Sequence, residues 1–248
     1  MTSDAGVLLF VHDGCIFTVA DGVQPPKAGS ILFCRHLPVR AGDRMLEIGT
    51  GIGLAAVLAA RAGARVVATD VLDAAVRCAR ANAAVNGVAD RVEVLQGDGF
   101  EPVRGRVFDL ICTSPPQMPT PADRERADAA AAADNGGRNG WALLDRVIAG
   151  AGAHLAPGGR LVFTLFGFLG VKAALAKVHD AGFEPTILGQ ETQAFPRIGY
   201  ERIEHIRALD AEATLPRGEW PTTVERYESA GAVALMRMAD PCGAARRR

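Results

Sequence analysis

The chain has 248 residues, a formal net charge of −1, 49% hydrophobic and 22% charged residues. That size supports one domain with appendages and a core that needs no staple, and so small a net charge provides no basic field for nucleic acid. The five cysteines form no C-x-x-C pair and no apolar run reaches a membrane span of about 18 residues, so a reduced cytoplasmic setting without membrane insertion is expected.

Residues 1–43 read as an N-terminal extension: a hairpin (7–10 and 16–19 around Asp13-Gly14), a Pro-rich loop and a short helix. From 44 onward strands and helices alternate. Residues 45–48 are a short apolar strand, 54–62 a buried helix and 65–69 a strand. Residues 73–86 form an amphipathic helix with Asp73 as its expected N-cap and Asn86-Gly87 as its stop. Strands follow at 92–95 and 107–113, then a helix at 141–155, a Pro157-Gly158-Gly159 turn and a strand at 160–165. A helix at 171–181 and strands at 183–188 and 231–238 complete the pattern. Such alternation predicts an α/β fold, a Rossmann-like parallel sheet with helices on both faces. Ligands of such sheets bind at the carboxyl ends of the strands. Residues 192–230, with Arg197, Tyr200, Glu201, Arg202, His205 and Trp220, read as an insertion before the last strand. The catalytic domain is thus expected over 44–248. Residues 127–133 are Ala-rich with high helix propensity, and the basic 244–248 read as a frayed tail.

The most specific stretch is Leu46-Glu47-Ile48-Gly49-Thr50-Gly51-Ile52-Gly53. Glycines let a backbone turn sharply and pass close to a ligand. The spacing is G-x-G-x-G, and Leu54 stands where a dinucleotide fingerprint would have its third glycine. Asp70 ends the second strand, 17 residues after Gly53, where a carboxylate can take both hydroxyls of a ribose. Val71 follows it, placed to lie against a base. Gly97-Asp98-Gly99-Phe100 follows the third strand, and Thr113-Ser114-Pro115-Pro116-Gln117 the fourth. Proline fixes φ and lacks an N–H, so that last loop presents carbonyls.

Over residues 44–164 these motifs resemble the class I S-adenosylmethionine (SAM) methyltransferases, whose sheet has seven strands, the last of them antiparallel. The resemblance implies SAM as the cofactor, cradled by Gly49, Thr50, Gly51 and Gly53. Glu47 would hold the methionine ammonium, Asp70 the ribose, and Val71, Asp98 and Gly99 the adenine. Ser114-Pro115-Pro116-Gln117 resembles the [N/D/S]-P-P-[aromatic] loop of amino methyltransferases, in which a side-chain oxygen and a proline carbonyl orient the target nitrogen. Gln117 stands in the aromatic position. Asp134 to Trp141 and the Leu155 to Leu161 stretch are similar to the release-factor glutamine methyltransferase branch, and Pro25 to Ser30 loosely echo its cofactor-closing loop.

The expected activity is in-line methyl transfer to nitrogen, with no metal. Gln117, the 192–230 insertion and the short N-terminal extension favour a small-molecule acceptor slightly. A protein glutamine is the alternative, and nucleic acid ranks third. A non-catalytic SAM-binding module and a NAD-dependent oxidoreductase are readings of other classes, the second disfavoured by Leu54. None of the five histidines has metal-ligand spacing; His12 or His205 would become a base only for a hydroxyl acceptor. Oligomeric state is not legible.

Overall fold

The computed structural model describes residues 8–124, 133–211 and 228–238. The strands are Leu8–His12 (β1), Cys15–Val19 (β2), Arg44–Ile48 (β3), Arg65–Asp70 (β4), Val92–Gln96 (β5), Phe108–Thr113 (β6), Leu155–Phe166 (β7), Phe183–Ala194 (β8) and Glu228–Met238 (β9). The helices are Ala28–His36 (α1), Leu54–Arg61 (α2), Asp73–Val85 (α3), Ala142–His154 (α4), Val171–Asp180 (α5), Arg197–Glu201 (α6) and Ile203–Ala211 (α7). Among the described residues β3 to β9 form one seven-stranded sheet in the order β5-β4-β3-β6-β7-β9-β8. Neighbours from β5 to β7 are parallel, and β9 runs antiparallel to β7 and β8, as the resemblance implies for the last strand.

Successive strand residues point to opposite faces, and each face has its own core. Met45, Val66, Leu110 and Val162 pack with α1, α2 and α3. Leu46, Val67, Ile111 and Leu161 pack with α4, α5 and α7. Cys15, Phe17, Leu32 and Phe33 belong to the first core, so the N-terminal extension is packed into the sheet domain. At the far edge α1 is seated on β8: a Cβ at Gly189 would lie 2.5 Å from the His36 ring.

The hairpin is attached by side chains that stand in for a strand. Asn82 accepts from Thr18 N–H (2.8 Å) and donates to Thr18 O (2.9 Å), and Asn86 repeats the exchange at Ile16 (3.0 and 2.8 Å). Arg160 is buried and gives one guanidinium nitrogen to Asp43 (2.6 Å) and another to Pro38 O (2.5 Å), tying β7 to the segment between α1 and β3.

Three expectations change. Asp73 is the first residue of α3 rather than its cap; Leu72 caps it, and Asp73 pairs with Arg77 instead. The Pro157-Gly158-Gly159 turn is an excursion inside β7, because the register jumps from Phe108↔Leu155 to Leu110↔Arg160. β8 and β9 are longer than their apolar stretches, since antiparallel pairing continues to Ala194↔Glu228. Residues 195–227 are therefore all that separates them. Trp220, residues 127–132 and 244–248 lie outside the described residues, and among those described no helix is long and apolar enough to cross a membrane.

Candidate active site

β3 is flanked by β4 on one side and β6 on the other, so the chain leaves the sheet in opposite directions here. The register Ile48↔Thr113 places Gly49 and Ser114 side by side at the carboxyl ends of adjacent strands. Between them opens a cavity of about 570 Å³, within the range of small-molecule and cofactor sites. It is lined by the glycine loop, Asp70, Val71, Asp98, Gly99 and the Ser114–Gln117 loop. The sequence-predicted residues thus meet in one place.

The glycines divide the work. All three have positive φ (+76°, +55° and +81° at Gly49, Gly51 and Gly53). A Cβ on Gly49 or Gly51 would meet no protein atom, whereas one on Gly53 would come within 3.1 Å of the Ala79 backbone. The first two leave room beside the cavity; the third lets α2 pack against α3. Asp70 braces this loop, accepting from Gly51 N–H (2.9 Å) and Leu72 N–H (3.0 Å).

Glu47 is 5% exposed. One of its oxygens accepts from the Thr50 hydroxyl (2.8 Å) and from Ala56 N–H (3.0 Å) in the first turn of α2. Burial pushes its carboxyl up to about 8 against those two bonds. The folded protein thus keeps a proton that the unfolded chain releases near pH 4.5. This contribution to stability is full below pH 4.5 and is lost as pH rises to about 8. Urea unfolding between those limits should show the native protein losing several kcal/mol more than Glu47→Gln. Parallel pH profiles would refute the assignment.

Asp98 carries both oxygens on Arg146 of α4, at 2.7 and 2.5 Å, and the guanidinium holds its carboxyl below the usual range. Each oxygen retains a lone pair for a further donor.

Ser114 is exposed at the cavity wall, its Oγ 3.1 Å from Thr164 Oγ1 on β7. Gln117 is turned the other way. It is 3% exposed; its Nε2 donates to Thr164 O (2.8 Å) and its Oε1 accepts from Phe166 N–H (2.8 Å). Gln117 therefore replaces a stacking aromatic with a clamp on the end of β7, and its amide is committed to that clamp. Behind the loop, Gly136 N–H donates to Met118 O (2.9 Å), and Gly137 O accepts from Thr120 N–H (2.9 Å). A Cβ on Gly136 would lie 2.7 Å from the Gln117 carbonyl carbon, and one on Gly140 2.6 Å from its oxygen. The Gly-Gly-x-x-Gly run is thus the floor on which the Ser-Pro-Pro loop rests. Asn139 accepts from Trp141 N–H (3.1 Å), closing the turn that leads into α4, whose N-cap is Trp141 itself.

Residues 23–27 also line the cavity, and Lys27 reaches Asp134 across it (3.1 Å). Pro196 and Ile198, ahead of and within α6, complete the wall; Phe166 stacks on Phe168 beside them (5.4 Å). Arg202 pins the loop between, donating to Thr120 Oγ1 (2.5 Å) and Asp134 O (3.1 Å). Neither His12 nor His205 lines the cavity; His205 instead meets Arg138 O at 2.8 Å. Arg146 and Thr164 went unnoticed in the sequence, where no local pattern marks them.

The family model described as Methyltransferase small domain matches residues 14–132. A protein of Methanocaldococcus jannaschii, named provisionally as a protein N5-glutamine methyltransferase, is 33% identical over 166 residues, or 66% of this chain and 83% of that one. A release factor glutamine methyltransferase of Gloeobacter violaceus is 35% identical over 158 residues, 61% of this chain and 54% of that enzyme. The chain thus spans about half the length of that bacterial relative. In three dimensions a methyltransferase from Pyrococcus furiosus is similar, with a TM-score of 0.53, 18% identity and coverage of 96% and 92% of the two chains, a likeness of fold. The archaeal relative extends the match well past residue 132, and with it the chain belongs to the class I SAM-dependent methyltransferases, in their small-domain branch.

Proposed function

We propose that this enzyme transfers the methyl group of SAM to the side-chain amide nitrogen of a glutamine in a protein: an N–CH3 bond would replace the S–CH3 bond, whose electron pair stays on the departing thioether, and one amide proton would be released to water. The observation that carries the reading is the Ser114 hydroxyl and Ser-Pro-Pro turn facing the same cavity as the glycine cradle. A primary amide brings two N–H donors, and a hydroxyl oxygen with a proline carbonyl is a matching pair of acceptors. The names of the two relatives, both glutamine methyltransferases, support the protein acceptor. The small-molecule acceptor that the sequence slightly favoured finds no such support: Gln117, which argued for it, is spent on β7.

The residues present fit the cofactor. Two glycines leave the room a ligand would fill, Asp70 would accept from the ribose, and Val71, Asp98 and Gly99 would bound the adenine. Glu47 would face the ammonium with the oxygen that α2 leaves unused, the positive charge favouring loss of the proton that burial lets the free enzyme keep. SAM supplies a sulfonium-bound methyl already activated for displacement. The chain's part is orientation and exclusion of water, worth up to about 7 to 11 kcal/mol of barrier.

The test combines methyl-labelled SAM, the purified enzyme and lysate protein. Acid hydrolysis of a methylated glutamine frees methylamine, so volatile labelled base from protease-sensitive material is the expected result. Label in protein that yields no methylamine would exclude the amide. Ser114→Ala should cut turnover at least about tenfold while calorimetric SAM affinity stays put; undiminished turnover would remove Ser114 from the reaction.

A further inference from the structure

We propose that Thr164, on β7, is a positioning residue for methyl transfer: its hydroxyl oxygen accepts a hydrogen bond from the Ser114 hydroxyl and leaves the Ser114 oxygen as an acceptor. The inference rests on the methyl-transfer reading of the same site. β6 and β7 pair in register at Thr113↔Phe163, so Ser114, the residue after β6, and Thr164, the next on β7, stand abreast. Their hydroxyl oxygens are 3.1 Å apart, and both residues line the cavity.

The neighbours define what Thr164 does. Phe166 N–H donates to Gln117 Oε1, which fixes the amide so that Nε2 faces Thr164. That nitrogen lies 2.8 Å from Thr164 O and 3.3 Å from Thr164 Oγ1. The Thr164 hydroxyl oxygen therefore already sits against an N–H donor, and a hydroxyl oxygen has a second lone pair. A hydroxyl can also rotate its own proton to suit its surroundings. If Thr164 donated to Ser114, the Ser114 proton and a single lone pair would share the directions left at that oxygen, so the proton would compete with the N–H of an incoming nitrogen. With Ser114 donating to Thr164, the Ser114 oxygen turns lone pairs toward that nitrogen. A serine so arranged presents what an asparagine carbonyl would present, and this accounts for serine working in the position. The hydroxyl of Thr164 makes no bond to the sheet ladder; the clamp by Gln117 rests mainly on its backbone oxygen.

The experiment compares Thr164→Val, which keeps the β-branched shape, with Thr164→Ser, which keeps the hydroxyl. Methyl-labelled SAM and lysate protein serve as substrates. Thr164→Val should lower turnover about tenfold, one hydrogen bond's worth, with SAM affinity and melting temperature unchanged. Thr164→Ser should recover most of it. Ser114→Ala with Thr164→Val should be no slower than Ser114→Ala alone, because the two hydroxyls act as a unit. Native turnover in Thr164→Val, or multiplicative losses in the double variant, would overturn the role while methylamine release still upheld glutamine. Label that yields no methylamine would overturn glutamine alone, and the two Thr164 variants would still decide the hydroxyl's role on that acceptor. No transfer by the native enzyme would overturn both.

Discussion

Asp70→Ala is expected to weaken SAM binding by about a hundredfold or more. The carboxylate braces the glycine loop through Gly51 N–H and the start of α3 through Leu72 N–H. Its remaining lone pairs are the ones a ribose would use. Hydrogen bonds to a charged group are each worth about 1.5 to 3 kcal/mol, and the alanine gives up the brace as well as the ligand contact. Calorimetry with SAM is the direct measurement, and unchanged affinity would end the ribose assignment. A cofactor analogue lacking the 2′-hydroxyl separates the two contributions. It should bind the native enzyme more weakly than SAM does, yet match SAM on Asp70→Ala. An equal penalty on both proteins would mean that Asp70 serves only the loop.

The second large effect is expected from one methyl group. In Gly136→Ala the three atoms nearest the new Cβ would all be backbone: Gln117 C at 2.7 Å, Gln117 Cα at 2.8 Å and Gly140 Cα at 2.9 Å. None of these can rotate away as a side-chain tip would, so the Ser-Pro-Pro loop must move. Overpacking of this kind costs about 1 to 3 kcal/mol, and a 1 Å displacement of a reacting group can cost about a hundredfold in rate. Turnover should fall by that order while SAM affinity, set on the other side of the cavity, holds. Gly152→Ala is the control, because a Cβ there meets nothing within 4 Å. A Gly136→Ala enzyme within a few-fold of native turnover would show that the floor does not position the loop.

What the sequence disclosed was what short stretches determine alone. Strand and helix periodicity placed every element of the sheet, and the glycine loop, Asp70 and Ser114-Pro115-Pro116 announced themselves because their chemistry lies within a few residues. What remained hidden depends on partners far along the chain. Asp98 meets Arg146 across 48 residues, and Ser114 meets Thr164 across 50. Gln117 misled for a related reason: its position suggested a cavity-facing side chain, but unpaired backbone at the end of β7 drew it inward. Asn86 ends α3 as the Asn86-Gly87 stop predicts, but only the edge of the hairpin shows that its amide and that of Asn82 complete a ladder. Aspartate is a good cap and Asp73 reads as one, but it lies one residue inside α3, whose N-cap position falls to Leu72 with no side-chain bond.

The seating of α1 on β8 bears on how the molecule is made. The glycine cradle and its braces lie within residues 47–70 and can assemble early. The segment that walls the cavity opposite them leads into α1, whose inner face packs in the first core but whose end, at His36, meets β8 at Gly189, more than 150 residues later. On a ribosome adding roughly 5 to 20 residues per second, that delay is on the order of ten seconds. Through that interval the nascent chain holds a formed cradle beneath a wall whose helix has not yet met β8. Contacts so distant in sequence fold late, so full cofactor affinity should arrive in a single late step, when the last strands dock, rather than accumulate as the chain grows.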